Sequence, residues 1–288
     1  MTFVTNAYYA LPLRLRLEIK GYWRLGYWMN LQRPRSFNEK INHFKLSGWG
    51  EVHAQCADKI TVRQFVKSQG LEEILSDCIP FSNKFEFSEL ENALREFGDV
   101  FLKANHNSGP VYRVKVGDSE KAKRAAYSAI KGQLTESYGF YNGELWYDAI
   151  EPRALCERTF SDSNDKVPPD FKFHVFSGRT PQVVILQYDY DRFVEHGRTL
   201  FTEKLDMLPY SLQYKDKRKR IGHPSKYEDM LLIAKCLARP FAYARVDLYN
   251  VDGVVRFGEI TFAPDGGFAR FSDQSVDYDW GRWLDYQL

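Results

Sequence analysis

Arg245, Asp247 and Glu259 lie close together in the run RVDLYNVDGVVRFGEITF, among residues that otherwise belong in a core. Two carboxylates held side by side repel each other unless something positive sits between them. Two candidates can supply that charge. One is Arg245 itself, in a cross-strand ion pair on a solvated face. The other is a hard cation such as Mg2+, held by one or two carboxylates and completed by phosphate oxygens.

Which reading applies depends on the element carrying the residues. The run FAYARVDLY alternates Ala242, Ala244, Val246 and Leu248 with Tyr243, Arg245, Asp247 and Tyr249, the period of a strand with two unlike faces. A second strand follows a turn at Asp252-Gly253. If Val251-Asp252-Gly253 is a three-residue loop with Gly253 left-handed, Asn250 pairs with Val254. Asp247 then stands opposite Phe257, Arg245 opposite Glu259 and Tyr243 opposite Thr261, with all six on one face. Asp247 and Glu259 become diagonal neighbours roughly 5–8 Å apart at Cβ. A two-residue Asp-Gly loop would put these carboxylates on opposite faces.

Further groups lie upstream. In VFLKANHNSGPVYRVK, Lys103 ends an apolar strand, and Asn105, His106, Asn107, Ser108 and Gly109 follow. Such a loop can turn several backbone N–H groups toward one anion, with Lys103 adding a point charge. It also reads as a plain hairpin loop, and it is not a Walker motif, in which Lys follows the glycines. In ALCERTFSDSNDKVPPDFKFHVF, Glu157 ends an apolar strand, while Asp170 and Lys172 enter the next on a shared face. These are either solvated strand ends or groups that meet a nucleotide. The stretch YDYDRFVEHGR offers Arg192, His196 and Arg198 for an anionic acceptor, or is a solvated loop. Neither a Ser/His/Asp nor a Cys/His triad competes with these groups.

The remaining elements must position them. SFNEKINHFKL opens with a capping-box signature, Ser36 followed by Glu39, and the helical pattern runs to a C-cap at Gly70. A helix is expected at roughly 119–137. RALCERTF and DFKFHVFSGRTPQVVILQYDYDR supply three strands, and SKYEDMLLIAKCLARPF an amphipathic helix feeding the hairpin. Antiparallel hairpins dominate, so the expected class is α+β rather than a doubly wound sheet.

With 288 residues, 44% hydrophobic and 16% aromatic, the chain can bury a large core. A net charge of +2 argues against a generic polyanion binder, so no nucleic-acid partner is expected, and the run YKDKRKR reads as a solvated loop. Charge is uneven, however: residues 1–50 carry eight Lys or Arg against Glu18 and Glu39. The stretch at residues 11–31 mixes Leu, Tyr and Trp with basic residues, in a helix expected to break near residues 21–26. It is either a surface helix packing Trp23 and Trp28 on the body or a peripheral contact with an anionic membrane. Four dispersed cysteines, no evident secretory signal and no run near the ~18 apolar residues of a span make a reducing cytoplasm the expected setting. A membrane contact would bring it to the inner face.

The order of these motifs resembles that of ATP-grasp enzymes, and the wording is most similar to the TupA-like group, named for teichuronopeptide synthesis. The matching phrases are SFNEKINHFKL, CADKITVRQFV, FLKANHNSG, DFKFHVFSG and ARVDLYNVDGVVRFGEITF, spread over about residues 35 to 284. The resemblance implies two α+β lobes gripping ATP, and a ligase joining a carboxylate to an amine through an acyl phosphate. It implies a helical N-terminal region (1–75), a first lobe with the phosphate loop (76–155), and a second lobe with the hinge and metal-binding hairpin (156–288). Lys103 would contact ATP phosphates, with Ser108 and Gly109 in the covering loop. Glu157, Arg158, Thr159 and Phe160 would line adenine, Asp170 would take the ribose, and Lys172 would reach the phosphates. Asp247 and Glu259 would bind Mg2+, and Arg245 would steady the phosphoryl group. Thr261 stands where many ATP-grasp enzymes place an Asn metal ligand, a weaker oxygen donor for a second ion.

The implied partners are ATP, a carboxylate-bearing saccharide acceptor and an amino-acid amine. The acceptor suggested by the resemblance is a uronic acid of a bacterial surface polysaccharide or its lipid-linked precursor. A kinase phosphorylating a sugar or other small-molecule hydroxyl is the alternative within the same fold. A non-catalytic carbohydrate- or membrane-binding module is the alternative outside it, and it predicts no Mg2+–ATP affinity.

Overall fold

The computed structural model describes residues 7–160, 168–191, 195–214 and 218–285. The helices are α1 (Leu13–Leu25), α2 (Phe37–Ser47), α3 (Glu51–Ala57), α4 (Val62–Ser68), α5 (Phe87–Phe97), α6 (Glu120–Gln133), α7 (Tyr138–Asn142), α8 (Tyr227–Ala238) and α9 (Gln274–Trp283). The strands are β1 (Cys78–Pro80), β2 (Val100–Ala104), β3 (Tyr112–Val114), β4 (Ala154–Arg158), β5 (Asp170–Phe176), β6 (Val183–Tyr190), β7 (Gly197–Thr202), β8 (Tyr243–Val251) and β9 (Val254–Thr261). Every pairing in the two sheets is antiparallel, which makes the class α+β.

The chain forms two compact units, Met1–Trp49 with Pro168–Leu288, and Gly50–Val167. This division separates α1 and α2 from α3 and α4. A buried polar clasp holds α2 to α9. Asp277 on α9 accepts from the Asn38 backbone (3.0 Å), the Asn38 amide (3.0 Å) and the Tyr27 hydroxyl (2.7 Å). Asn38 also exchanges hydrogen bonds with the Ala269 backbone. A Cβ at Gly281 would lie 2.1 Å from the Arg35 carbonyl oxygen, so only glycine lets α9 approach the start of α2 this closely.

In this first unit the sheet order is β7-β6-β5-β8-β9. One face presents Phe173, Val175, Val246, Leu248 and Leu186, and α8 packs on it with Tyr227, Met230, Leu231, Ala234 and Leu237 at helical spacing. The other face has two ends. Near Phe176 and Tyr243 it is roofed by Phe37 of α2 and Trp280 of α9. Toward Asp170, Asp189 and Asp247 it becomes polar. The capping box of α2 forms as read: Ser36 accepts from the Glu39 backbone, and Glu39 accepts from that of Ser36. Helix α1 runs unbroken through Gly21, where a Cβ would meet Met29 at 2.5 Å, and stops at left-handed Gly26.

The hairpin turn differs from the expected one. Val251 pairs with Val254 across a two-residue loop, Asp252-Gly253, with φ of 51° and 85°. Both left-handed residues match the twist of the strands, so Asp-Gly takes the shorter turn. That register would separate Asp247 from Glu259, but a β-bulge intervenes. Leu248 pairs with Phe257, the register then slips past Gly258, and Asp247 pairs with Glu259, Arg245 with Thr261. The carboxylates share a face for a different reason, and Phe257 and Tyr243 do not occupy the partner positions expected of them.

In the second unit the sheet order is β1-β4-β2-β3. Val100, Leu102, Ala154 and Cys156 join Leu90, Leu94, Ala126 and Ile130 of α5 and α6 in one core. Phe101, Lys103 and Glu157 occupy the sheet's other face.

Candidate functional site

On the polar face of the first unit, β5 contributes Asp170, Lys172 and His174, β6 Gln187 and Asp189, and β7 Arg198. The hairpin adds Arg245, Asp247, Glu259 and Thr261. Strand alternation puts them all on one side, and antiparallel pairing aligns them in rows. Arg245 grips Asp247 with two parallel bonds, Nε to Oδ1 at 2.7 Å and Nη2 to Oδ2 at 2.9 Å. The same Nη2 donates to Glu259 Oε1 at 3.1 Å and Thr261 Oγ1 at 3.3 Å, and Thr261 donates to Glu259 at 3.1 Å. Lys172 donates to Asp247 and lies 3.5 Å from Asp170. The Arg245–Glu259 pair is present, but Arg245 and Asp247 are buried, so this is not a solvated surface pair.

Burial alone would raise the pKa of Asp247; the charges and hydrogen bonds of Arg245 and Lys172 outweigh it and hold the carboxyl below its ordinary value. Burial would lower that of Arg245, and Asp247 and Glu259 reverse this to keep the guanidinium firmly charged. Asp170 is fully buried rather than a solvated strand end.

A second ionic group adjoins the first. Arg198 forks onto Asp189, Nε to Oδ1 at 2.7 Å and Nη2 to Oδ2 at 2.9 Å, and stacks over the Tyr214 ring at 4.7 Å. Despite burial, Arg198 holds the Asp189 carboxyl down at about 2, with help from Lys172 and His196. Gln187 donates to Asp189 at 3.0 Å, which turns its carbonyl toward His174 Nε2 at 2.9 Å. His174 therefore carries its proton on Nε2 and accepts from the Tyr243 hydroxyl at Nδ1, 2.7 Å away. Burial, then the Arg245 charge, push this imidazole down to about 3 and keep it neutral.

Arg198 thus sits on a strand, buried and engaged, and not on the solvated loop that was one reading of it. His196 is partly exposed, 3.5 Å from Asp189 and stacked on Tyr214 with centroids 3.9 Å apart. Arg192 lies outside the described residues. Asp189, Gln187 and His174 were missed by sequence reasoning, although the alternation of Gln187 and Asp189 with Leu186, Tyr188 and Tyr190 in LQYDY carries the signal.

In the second unit Lys103 pairs with Glu157, and both side chains are largely buried. The following loop is stapled by its own side chains. Asn105 donates to Asp58 (2.9 Å) and accepts from the Arg153 backbone (2.7 Å); Asn107 donates to Gln133 (2.9 Å) and accepts from the Gly109 backbone (3.1 Å). Lys59 donates to the Asn107 carbonyl. His106 is buried with them, which lowers its pKa. The loop becomes exposed at Ser108, with Gly109 half-buried. Asp58 and Lys59 are buttresses that sequence reasoning did not single out, although CADKITVRQFV contains both. Beyond Glu157, Arg158 pairs with Asp77 at 3.0 Å and lies over Phe97, Thr159 bonds the Asp99 carbonyl, and Phe160 closes the described segment.

Among the described residues, no group of three or more His, Cys, Asp or Glu is arranged to hold a metal. The two carboxylates and one hydroxyl of Asp247, Glu259 and Thr261 form an all-oxygen donor set. Such donors are of the kind Mg2+ takes rather than a nitrogen- or sulfur-seeking metal, and here Arg245 and Lys172 engage the Asp247 oxygens while Arg245 and Thr261 engage Glu259 Oε1.

Comparison with known proteins gives one family match: a model of the TupA-like ATP-grasp family covers residues 39–284. No curated protein sequence matches. Among solved structures, D-alanine–D-alanine ligase from Helicobacter pylori aligns at 13% identity over 80% of this chain and 61% of its own, with a TM-score of 0.47. D-alanyl-alanine synthetase A from Vibrio cholerae aligns at 10% identity over 78% and 62%, TM-score 0.47. D-alanine–D-alanine ligase from Bacillus anthracis aligns at 15% identity over 72% and 57%, TM-score 0.40. The chain spans 57% to 62% of the length of these three proteins.

Proposed function

The chain belongs to the TupA-like ATP-grasp family, and from that premise we propose that it is an ATP-dependent ligase joining a carboxylate to an amine through an acyl phosphate. The observation that carries this reading is the interleaving of charge on the polar face. Asp247 faces Glu259, Arg245 bridges them, and Lys172 lies on Asp247.

A carboxylate is a poor electrophile, and phosphorylating it brings two anions together. Neutralisation and in-line positioning are therefore the main requirements, rather than a nucleophilic side chain. The acceptor carboxylate oxygen attacks the γ-phosphorus and ADP leaves. The amine nitrogen then attacks the acyl carbon, loses a proton and expels inorganic phosphate, leaving an amide. Asp247 and Glu259, with Thr261, are the groups we assign to Mg2+, which supplies charge neutralisation of the phosphates. Arg245 and Lys172 are assigned to the oxygens of the phosphoryl group in transfer, and Lys103 to ATP phosphates in the ground state. Ser108 and Gly109 are assigned to the covering loop, and residues 157–160 to the adenine. Full burial of Asp170 favours a role in aiming Lys172 over contact with the ribose.

For the acceptor we propose a uronic-acid carboxylate of a surface polysaccharide or its precursor, and for the donor an amino acid, with His196 at the acceptor's edge. The test is ADP release across uronic acids paired with amino acids. A ligase turns over only when both are present, and hydroxylamine traps the intermediate as a hydroxamate. A stable phosphate ester, formed without any amine, would overturn the ligase in favour of a kinase.

A further inference from the structure

Helix α1 is apolar on two sides, and only one of them is covered by the described residues. Leu13, Leu17 and Leu25 face inward against Met29, Leu31, Leu46 and Phe268. The opposite side carries Leu15, Tyr22 and Trp23, all exposed, Trp23 at 76%, and Trp28, three residues beyond the helix, is 60% exposed. Trp28 stacks on Tyr22 with centroids 5.0 Å apart, and Trp23 meets the same ring edge-on at 6.1 Å. Single exposed hydrophobic residues need no explanation, but two indoles gathered on one tyrosine form a contiguous patch.

Its surroundings indicate what covers it. Glu18 is the only acidic residue in positions 7–38 and is tied to Arg14 at 2.9 Å. Arg24 and Arg33 are exposed and have no carboxylate partner among the described residues. Indole rings favour the boundary between water and hydrocarbon, and free guanidinium groups favour anionic headgroups. No helix of the described residues is long and apolar enough to cross a membrane, so any such contact by these helices lies in the interface plane.

We propose that the outer side of α1, with Tyr22, Trp23, Trp28 and the flanking Arg24 and Arg33, docks onto an anionic lipid surface. The inference stands apart from the ligase reading, since no residue of the polar face takes part.

The full chain should be sedimented with phosphatidylglycerol-containing vesicles and with pure phosphatidylcholine vesicles. Binding is expected to the first, with a blue shift in tryptophan emission and weakening as salt is raised. The double variant Trp23→Ser/Trp28→Ser is expected to partition at least about tenfold more weakly, and Arg24→Glu/Arg33→Glu to lose the preference for anionic lipid. Both variants should keep the wild-type circular dichroism, because these side chains point away from the core. Absence of binding to anionic vesicles would overturn the proposal, as would equal binding by the tryptophan variant. Concentration-dependent dimerisation abolished by the tryptophan variant, without vesicle binding, would assign the patch to a second copy. Indole quenching by a soluble saccharide, without vesicle binding, would assign it to sugar.

Discussion

Asp247 faces Glu259 across β8 and β9 because Gly258 is the extra residue of a bulge in β9. The carboxylates are thus paired by a backbone irregularity, and Arg245 fills the gap with donors to both. Such bulges re-aim side chains at sheet edges and beside sites. A site built this way depends on the one residue with no side chain.

Gly258→Ala tests that dependence. A Cβ there would lie 2.9 Å from the Asp247 carbonyl oxygen and 3.0 Å from the Tyr249 ring. The expected result is a loss of about 1–3 kcal/mol from the forced shift, with a larger fractional loss of Mg2+–ATP binding than of stability. Denaturant melts with and without nucleotide measure both. Unchanged nucleotide protection would show that the bulge does not set the site.

Glu259→Gln separates a metal role from an ion-pair role. The Glu259 side chain is 41% exposed, so its pair with Arg245 contributes at most ~1 kcal/mol to stability. The variant should fold normally yet lose turnover by about a hundredfold. It should also lose the nucleotide-induced rise in melting temperature, which for the wild type corresponds to about 2.7 kcal/mol at a hundredfold excess of ligand over its dissociation constant. Near-normal kinetics would return the pair to a structural role.

The parts of this site legible from the residues are those governed by strand period. Asp170 with Lys172, and Arg245 with Asp247, share faces because they are two apart, whatever the strands pair with. Cross-strand relations were less legible, since they hang on turn type and on a bulge that no local signal at Gly258 distinguishes from an ordinary strand glycine. That Arg198 lies on a strand was hard to read for a related reason. Its strand is short and begins at Gly197, where a Cβ would collide with the Tyr190 ring at 2.3 Å, a constraint visible only once β6 lies beside it. The docking of α2 on α9 rests on Asp277, far away in sequence, and Asn38, neither of which has a local partner that announces the clasp.

The buried His174 predicts an acid response. Its folded pKa, about 3, lies below the unfolded value of about 6.5. Between these values the unfolded chain binds more protons, so stability is fully present above about pH 6.5 and declines as pH falls toward 3. Asp189, held at about 2, adds a further decline below about pH 4. His174→Phe strands the Tyr243 hydroxyl and the Gln187 carbonyl, which lowers the melting temperature at every pH. It should nevertheless flatten the slope of melting temperature against pH between about 6.5 and 4. An unchanged slope would mean that another group carries the titration.

Lys103 and Arg245 should fail in different ways. Lys103 is assigned to ATP before transfer, so Lys103→Ala should raise the KM for ATP and lower kcat/KM. Its partner Glu157, largely buried but still 18% exposed, keeps some contact with water, so the second unit should still fold. Arg245 cannot be removed so simply. Truncation would leave Asp247 buried with Lys172 as its remaining cation, a loss of about 3–5 kcal/mol. Arg245→Lys keeps the charge but loses the fork that reaches Asp247, Glu259 and Thr261 together. If Arg245 steadies charge that develops during phosphoryl transfer, this variant should lower kcat while leaving ATP affinity near the wild-type value. Isothermal titration with Mg2+–ATP, set beside steady-state ADP release, separates the two effects. Should Arg245→Lys change only the ATP affinity, the guanidinium belongs to nucleotide binding and the transition-state role passes to Lys172.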